Sequence, residues 1–485
     1  MTDDTGSRAL DDGADPDPVI IQGGMGVAVS SWRLARAVSM RRQLGVVSGT
    51  ALDVVLARRL QLGDPTGDLR RAIRQFPDAA VAERVLESHF VPDGTRHGQP
   101  FASLPMLTAA PSVRRQELAV VGGFVEVFLA REGHRGSVGI NFLEKIQLPT
   151  PATLYGALLA GVDYVLVGAG IPRDIPGLLE DLVRHQPAVL ALHVTGAAAD
   201  ERFELFFDPR EIVTAPLPTL RRPRFLAIVA SATLAVSLAR RSCGVDGFVV
   251  EGPTAGGHNA PPRGPLTLVD GQPVYGPRDE VDLAKFRALG LPFWLAGSCA
   301  TPERLRQARC DGAAGIQVGT AFAFCDESGV DPALRARVLA EAADGGVRVF
   351  TDPLASPTGF PFKVAQLEGT LSEPDVYEAR DRRCDLGYLR ELYRRADGRL
   401  GYRCPAEPEG DYVRKGGRLE DTAGRKCVCN GLVATIGLGQ WRGSRPEPAL
   451  VTAGDDARGL GRFMHGGRSS FSASDVIASL LDPPA

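Results

Sequence analysis

The residues best suited to chemistry in this sequence lie in one loop, residues 251–264. The apolar run 247–250 precedes this loop and predicts a strand, and the loop itself is rich in glycine and proline. It also carries a carboxylate (Glu251), an imidazole (His258) and a guanidinium (Arg263). α/β proteins usually place their chemistry where a strand breaks into such a polar loop, and a loop that merely connects strand to helix is the alternative.

His258 is the best candidate for an acid–base or substrate-polarising group, because an imidazole titrates near neutral pH. The alternative is a structural histidine whose ring nitrogens bind carbonyl groups of the loop. Glu251 also has two interpretations. It either binds a hydroxyl of a cofactor or orients His258, or it is a plain carboxylate at the end of a strand. We therefore predict His258 as the catalytic residue.

Eight apolar runs alternate with helical patterns along the chain, and the loop described above follows the sixth of them. Alternation of this kind predicts a parallel sheet with helices outside it, and eight repeats predict a (β/α)₈ TIM barrel of the α/β class. Glycine follows most of the runs, as expected where a strand ends in a tight turn. The runs are residues 19–22, 44–47, 138–141, 164–167, 225–229, 247–250, 293–296 and 315–318.

Other segments interrupt or extend this barrel, which we place at residues 18–345. Residues 61–137 look helical and predict an insertion after strand 2 that covers the mouth or the flank of the barrel. Residues 188–223 predict a β-hairpin insertion before strand 5. Residues 346–485 predict an irregular C-terminal extension packed on the barrel. The acidic residues 1–17 predict a disordered tail.

Two further loops at the same end of the barrel have the composition of a phosphate site. In such barrels the loops after strands 7 and 8 commonly bind a phosphate. Here these loops contain Gly297 and Ser298 in one case and Gly319 and Thr320 in the other. Glycine lets backbone N–H groups approach phosphate oxygens, and the hydroxyls add donors. Tight turns without a ligand are the alternative.

The ends of strands 1 and 3 offer a surface for a flat ring. Gln22, Gly23, Gly24 and Met25 close strand 1, and bare backbone beside a thioether suits an aromatic ring better than a charged substrate. Asn141 ends strand 3 and is predicted to face the barrel mouth, with a simple turn residue as the alternative.

Four motifs together resemble the nitronate monooxygenase (2-nitropropane dioxygenase-like) family of FMN-dependent TIM-barrel oxidoreductases. They are residues 21–26, 139–142, 255–258 and 317–322, and they are specific only as a set. The resemblance covers about residues 18–365, apart from the insertions. It implies an enzyme that binds FMN and oxidises alkyl nitronates with O₂.

The resemblance also implies which residues hold the cofactor, with the phosphate at the loops after strands 7 and 8 and the ring at strands 1 and 3. No metal site is predicted, and the substrate is expected to be a small molecule, with O₂ or NAD(P)H as co-substrate. The predicted FMN-binding residues are Gln22, Gly23, Gly24, Met25, Asn141, Gly257, Gly297, Ser298, Gly319 and Thr320.

One position departs from the family pattern. Many members carry a histidine base in the helix after strand 5, but the matching residue here is Val236, which cannot take a proton. His258 instead matches a loop histidine that related enoyl-acyl-carrier-protein reductases use near the flavin. An NAD(P)H-dependent flavin reductase of enoyl thioesters or quinones is therefore the alternative activity, and a flavin-free binding subunit is a third interpretation.

The bulk composition narrows the partners and the location. A net charge of −3 gives no reason to expect nucleic acid or an anionic membrane. No apolar run approaches the ~20 residues that span a bilayer. Eight cysteines in 485 residues do not suggest a disulfide scaffold, so a cytoplasmic protein is expected, and a homodimer is left open.

The C-terminal extension contains a group of four cysteines, Cys384, Cys404, Cys427 and Cys429. Cys427 and Cys429 are spaced more tightly than the paired knuckles of structural zinc sites, and the other two are isolated in sequence. We interpret these residues as buried or redox-active thiols, with a metal site as the alternative.

Overall fold

Eight parallel strands form a barrel in the computed structural model, which describes residues 17–240 and 244–481. The strands follow one another around the barrel in chain order, and a parallel bridge between Ile21 and Leu44 joins the two edges of the sheet. The predicted (β/α)₈ barrel is therefore confirmed. The strands are β1 (Ile20–Gln22), β2 (Gly45–Ser48), β3 (Val138–Leu143), β4 (Tyr164–Gly168), β5 (Arg224–Val229), β6 (Gly247–Glu251), β7 (Phe293–Ala296) and β8 (Gly315–Val318).

The inside of the barrel is a packed apolar core and not a channel. Alternate residues of the strands, such as Leu166, Leu226 and Val249, point inward and are fully buried. At the N-terminal end of the strands, Trp294 Nε1 donates a hydrogen bond to the carbonyl oxygen of Pro18 at 2.7 Å. Barrels of this kind bind their ligands at the opposite end, where the strands stop.

Helices cover the outside of the barrel. The main ones are α1 (Trp32–Met40), α2 (Leu52–Gln61), α3 (Asp68–Ile73), α4 (Ala79–His89), α5 (Val113–Arg131), α6 (Thr150–Leu159), α7 (Ile175–Val183), α8 (Ala232–Ala239), α9 (Leu283–Ala288), α10 (Pro302–Cys310) and α11 (Pro332–Ala343). Within the helical insertion after β2, α5 packs against α6, α2 and α1. A Cβ at Gly156 would lie 1.8 Å from the carbonyl oxygen of Val120, so glycine is needed for the close approach of α6 to α5. The insertion thus forms part of the helical wall on the flank of the barrel.

The predicted hairpin before β5 is present. Strands Ala188–Ala191 and Glu204–Phe207 pair antiparallel, and the short helix Pro209–Ile212 follows them. Between the two strands, Val194–Thr195 pairs in parallel with Glu391–Arg394. The hairpin is therefore tied to the C-terminal extension.

The C-terminal extension consists of short elements that pack back on the barrel. Its last helix, Ala473–Leu481, contacts both α1 and α10. Its other helices are Pro374–Glu378, Glu409–Arg414 and Val428–Thr435, with 3₁₀ segments Leu419–Thr422 and Asp455–Phe463. Its antiparallel pairs are Val349–Asp352 with Phe362–Ala365, Glu391–Arg394 with Leu400–Arg403, and Trp441–Arg442 with Arg445–Pro446.

Two smaller features complete the fold. A hairpin of Leu268–Val269 and Gln272–Pro273, with a 3₁₀ turn at Pro277–Asp279, follows the loop after β6. Of the predicted acidic tail, residues 1–16 lie outside the described residues, and Asp17 pairs with Arg224 at 2.6 Å. Across the described ranges, none of the helices has both the length and the apolar character required to span a bilayer.

Candidate functional site

A large cavity opens at the C-terminal ends of the barrel strands. The space between its walls, counted together with the part open to solvent, is about 1620 Å³. The barrel loops form one part of its wall, and the C-terminal extension adds residues such as Tyr388, Cys429 and Thr452.

The loops selected from the sequence converge on this cavity. They follow β1, β3, β6, β7 and β8, and closure of the barrel brings their ends to one face. The predicted residues that line the cavity are Gly23, Gly24, Met25, Asn141, Gly257, His258, Gly297, Ser298, Gly319 and Thr320.

Gln22 is the exception, because its side chain points away from the mouth. Its Nε2 donates to Ser30 Oγ at 2.9 Å, and its Oε1 accepts from the Val46 N–H at 3.0 Å. Since Ile21 faces the barrel core, the alternation of the strand turns Gln22 outward. Gln22 therefore fixes the end of β1 and does not line the cavity.

Two buried amide oxygens in the cavity wall lack a partner. Asn141 Oδ1 and Gln317 Oε1 accept no hydrogen bond from the described residues, although buried polar atoms nearly always have one. Asn141 Nδ2 donates to the Gly24 carbonyl at 3.4 Å, and a Cβ at Gly24 would lie only 2.3 Å from Asn141 Cβ. The two oxygens mark a place where a ligand with N–H or O–H groups would fit. Gln317 was not selected as a site residue from the sequence, and its signal there was that it is polar within the otherwise apolar run 315–318.

The loop after β7 presents backbone donors to the cavity. Within the described ranges, the N–H groups of Gly297, Ser298 and Cys299 have no backbone acceptor. Gly297 (φ 102°) and Ser298 (φ 48°) both adopt left-handed backbone conformations. Successive N–H groups in such a turn form a concave site that favours an anion.

The loop after β8 is already engaged by the C-terminal extension. Thr320 Oγ1 accepts from the Gly454 N–H at 2.9 Å and hydrogen-bonds to the carboxyl group of Asp456. Burial raises the pKa of Asp456 above its ordinary range, while Thr320 and Arg462 act in the opposite direction. The hydroxyl of Thr320 therefore has protein partners in this structure, and an acidic side chain lies beside the predicted phosphate loops.

His258 is held between the barrel loop and the extension. Its Nε2 lies 2.7 Å from Ser356 Oγ, and its ring packs edge-on against Phe362 with centroids 4.8 Å apart. Burial, together with the positive charge of Lys145, lowers the pKa of His258 to about 3. At neutral pH this imidazole is therefore neutral. It can polarise a ligand through a hydrogen bond, but it is a weak base.

Glu251 is a cavity carboxylate with a pKa close to neutral pH. It is the last residue of β6 and lines the cavity, and burial raises its pKa to about 7. The sequence predicts for Glu251 only a supporting role, or no role in the chemistry. The signal missing from the sequence was burial, because segments far along the chain enclose this strand end.

Two residues of interest lie outside the cavity lining. Lys145 Nζ sits 3.1 Å from the centroid of the Phe360 ring, and burial lowers the pKa of Lys145 to about 8. Val236 lies in α8 and is half-buried. Val236, which the sequence resemblance matched to a histidine base, is thus not part of this cavity wall.

The four C-terminal cysteines lie near one another. A hydrogen bond with Cys404 lowers the pKa of Cys384, and burial raises that of Cys427 to about 11. Cys429 also lines the cavity. Within residues 17–240 and 244–481, no group of three or more His, Cys, Asp or Glu side chains is arranged to hold a metal ion.

Comparison with known proteins gives a match to one family model, one curated relative and weaker structural similarities. A family model for nitronate monooxygenase matches residues 216–351. A curated nitronate monooxygenase from Pseudomonas aeruginosa is 29% identical over 210 residues, which are 42% of this chain and 54% of that protein. The chain thus spans about half the length of this relative.

Two solved structures share the chain path at low similarity. FabK from Thermotoga maritima has a TM-score of 0.47 at 16% identity, over 96% of this chain and 93% of that one. Nitroalkane oxidase from Streptomyces ansochromogenes has a TM-score of 0.41 at 16% identity, over 96% of each chain. Similarity at this level carries no inference about activity.

The segment matched by the family model is also the segment that builds much of the cavity. It contains β5 to β8 together with His258 and the loops after β7 and β8. The sequence matches therefore support the nitronate monooxygenase family as the one that this chain resembles.

Proposed function

We propose that the protein is an FMN-dependent oxidoreductase that oxidises alkyl nitronates with O₂. One observation carries this proposal. Among the described residues, the unbonded N–H groups of the β7 loop line the same cavity as the two amide oxygens, Asn141 Oδ1 and Gln317 Oε1, that lack a partner. The match of residues 216–351 to the nitronate monooxygenase family model supports a flavin as the group that these residues would bind.

The hydrogen-bonding groups of the cavity fit the two ends of FMN. The N–H groups of Gly297, Ser298 and Cys299 suit a phosphate, because backbone donors in a glycine turn bind anions without a counter-charge. Asn141 Oδ1 and Gln317 Oε1 suit the N–H groups of a flavin ring, and Gly23 and Gly24 leave room for its flat face. When bound, FMN would supply the two-electron oxidation and the reaction with O₂.

His258 would bind the substrate and not deprotonate it. With its pKa near 3, the imidazole is neutral, and Nε2 is engaged by Ser356 Oγ at 2.7 Å. A nitronate is already an anion, so its oxidation needs a polarising hydrogen bond and no base. The neutral state of His258 therefore favours a nitronate over a reaction that begins with proton removal by this histidine.

The absorbance spectrum of the purified protein, followed by anaerobic titration with ethyl nitronate, tests the proposal. We expect a flavin spectrum that bleaches on addition of nitronate without NAD(P)H, and O₂ consumption when air is admitted. A flavin that stays oxidised with nitronate but bleaches with NADPH would instead support a reductase of enoyl thioesters or quinones. A colourless protein that does not take up added FMN would reject both activities.

Three finer expectations stay predictions. They are a cytoplasmic location, the absence of nucleic acid and membrane partners, and the oligomeric state, for which a homodimer is open. Size-exclusion chromatography with light scattering measures the last of these directly.

A further inference from the structure

We propose that Glu251 is the catalytic base of this cavity, and that it removes the proton from the carbon next to the nitro group of a neutral nitroalkane. The later oxidation of the nitronate so formed rests on the proposed function, whereas the proton transfer itself does not. The same cavity would then accept nitroalkanes as well as nitronates.

The strand geometry directs Glu251 to the mouth of the barrel. On β6, Val249 faces the barrel core, whereas Phe248 and Val250 pack outward against the helices. By the same alternation, Glu251 points to the inside, one layer above Val249. Glu251 also pairs in register with Ala296, the residue before the free N–H groups of the β7 loop. The carboxylate thus belongs to the ring of inward positions at the cavity floor, together with Asn141 and Gln317.

In the part of the chain that the structure describes, Glu251 has no protein partner. Among the described residues, its carboxylate forms no hydrogen bond and no ion pair, although almost all other buried acidic groups here do, such as Asp53 with Arg115 at 2.6 Å. An acidic group kept in a low-polarity wall without a partner has a raised pKa and becomes a stronger base. For Glu251 burial raises the pKa to about 7, which suits proton transfer near neutral pH.

No neighbouring charge changes this conclusion. The nearby hydroxyl of Tyr275 donates to the Ala260 carbonyl at 3.0 Å, and burial raises the pKa of Tyr275 to about 12, with Asp279, Asp455 and Glu251 adding to the effect. The other titratable side chains in the cavity wall, none of them cationic at neutral pH, are His258, Cys299, Tyr388, Cys429 and Asp456.

The other candidates for a base are less well suited to proton removal. His258 has too low a pKa, and Val236 has no basic atom and lies outside the cavity wall. Burial also raises the pKa of Asp456, but its carboxyl group interacts with Thr320, and Arg462 favours its charged form. Among the described residues of the cavity wall, Glu251 is therefore the carboxylate without a protein partner.

The step is a simple proton transfer. The C–H bond at the α carbon breaks, and its proton bonds to a carboxylate oxygen of Glu251. The electron pair of that bond moves into a C=N bond, and the negative charge passes to the nitro oxygens, giving the nitronate. No oxidant is consumed, so proton transfer can be measured apart from any oxidation.

Exchange of the α protons of nitroethane in D₂O measures this step directly. The FMN-loaded protein would be incubated anaerobically with nitroethane, and loss of the α-proton signal followed by NMR. We expect exchange faster than in buffer, and a loss of about a hundredfold or more of the catalysed rate in Glu251→Gln, the range typical of a general base. Glu251→Asp, which keeps the carboxylate but shortens its reach, should retain part of the rate. Glu204→Gln, at an exposed position of the hairpin before β5, is the matched control and should exchange like the unaltered protein.

The outcomes separate this proposal from the proposed function. Catalysed exchange that is unchanged in Glu251→Gln, or absent from the unaltered protein, overturns the role of Glu251, while bleaching by ethyl nitronate would still support nitronate oxidation. Exchange that depends on Glu251 without bleaching by nitronate would uphold the base and reject the oxidase. Thermal unfolding and the flavin spectrum show whether Glu251→Gln folds. If it does not, Glu251→Asp is the deciding variant. An α-proton exchange rate in Glu251→Asp equal to that of the unaltered protein would contradict a positioned base.

Discussion

His258 Nε2 lies 2.7 Å from Ser356 Oγ, and this contact joins the loop after β6 to a residue 98 positions further along the chain. Ser356 is fully buried and also binds Thr358 Oγ1 at 2.8 Å. The proposed substrate-binding imidazole is therefore oriented by the C-terminal extension and not by the barrel.

Ser356→Ala should destabilise the protein and weaken the binding of nitronate. The substitution leaves the buried Nε2 of His258 without a partner, which costs about 1–3 kcal/mol. Urea unfolding gives the free energy of unfolding, and the KM for nitronate reports the loss of orientation. Ser88→Ala, at an exposed site on α4, should change the free energy of unfolding by no more than about 0.5 kcal/mol. Equal effects of the two substitutions would contradict the role of Ser356.

His258→Gln should reduce the fall in the free energy of unfolding that occurs as the pH is lowered below 6.5. Burial lowers the pKa of His258 from 6.5 to about 3, so as the pH falls below 6.5 the unfolded chain gains a proton that the folded chain does not. Stability is therefore lost as the pH falls through this window, by about 1–2 kcal/mol between pH 6.5 and 5. Urea unfolding of both proteins at pH 7, 6 and 5 checks this, and parallel profiles would show that His258 titrates normally.

Glu251→Gln should make the protein more stable at pH 8. Burial raises the pKa of Glu251 from 4.5 to about 7, so between these values the unfolded chain releases a proton that the folded chain keeps. The unaltered protein therefore loses stability as the pH rises from 4.5 to 7, and the neutral amide does not. The expected gain above pH 7 is on the order of 1–3 kcal/mol of unfolding free energy. A glutamine variant that is less stable at pH 8 would argue that Glu251 has a partner in solution.

Gly24→Ala should impair cofactor binding. A Cβ at this position would lie 2.3 Å from Asn141 Cβ and displace the amide whose Oδ1 is proposed to meet the flavin ring. We expect FMN affinity, measured by quenching of flavin fluorescence, to fall at least about tenfold, which corresponds to 1.4 kcal/mol. The matched control is Gly177→Ala on α7, where a Cβ meets nothing within 4 Å, and it should leave FMN affinity unchanged.

Asp456→Asn should tighten FMN binding. The carboxyl group of Asp456 hydrogen-bonds to Thr320, beside the proposed phosphate position, where a negative charge opposes an anion. The amide keeps the shape and removes the charge, so the Kd for FMN should fall severalfold at pH 8 and less at pH 5. Weaker binding by the asparagine variant would place the phosphate elsewhere.

The barrel was predictable from the sequence because its signals are local. The predicted run 164–167 corresponds to Tyr164–Gly168, and the run 293–296 to Phe293–Ala296, since each short apolar stretch is bounded by turn residues. The positions of the loops at one face then follow from the topology of parallel strands.

The side-chain roles were less predictable. Both faces of a barrel strand are apolar. The sequence therefore does not indicate that Ile21 faces inward and Gln22 outward. The low pKa of His258 and the raised pKa of Glu251 depend on burial by segments that come together only in the fold. The contribution of Asp456 and Tyr388 to the cavity has no local signature at all.

The cavity wall joins Gly23, near the start of the barrel, to Asp456, near the end of the extension. During synthesis on a ribosome the barrel strands all emerge well before that last part of the wall. The pocket is therefore incomplete while the chain is being made, and cofactor capture becomes a late event that follows translation of the extension.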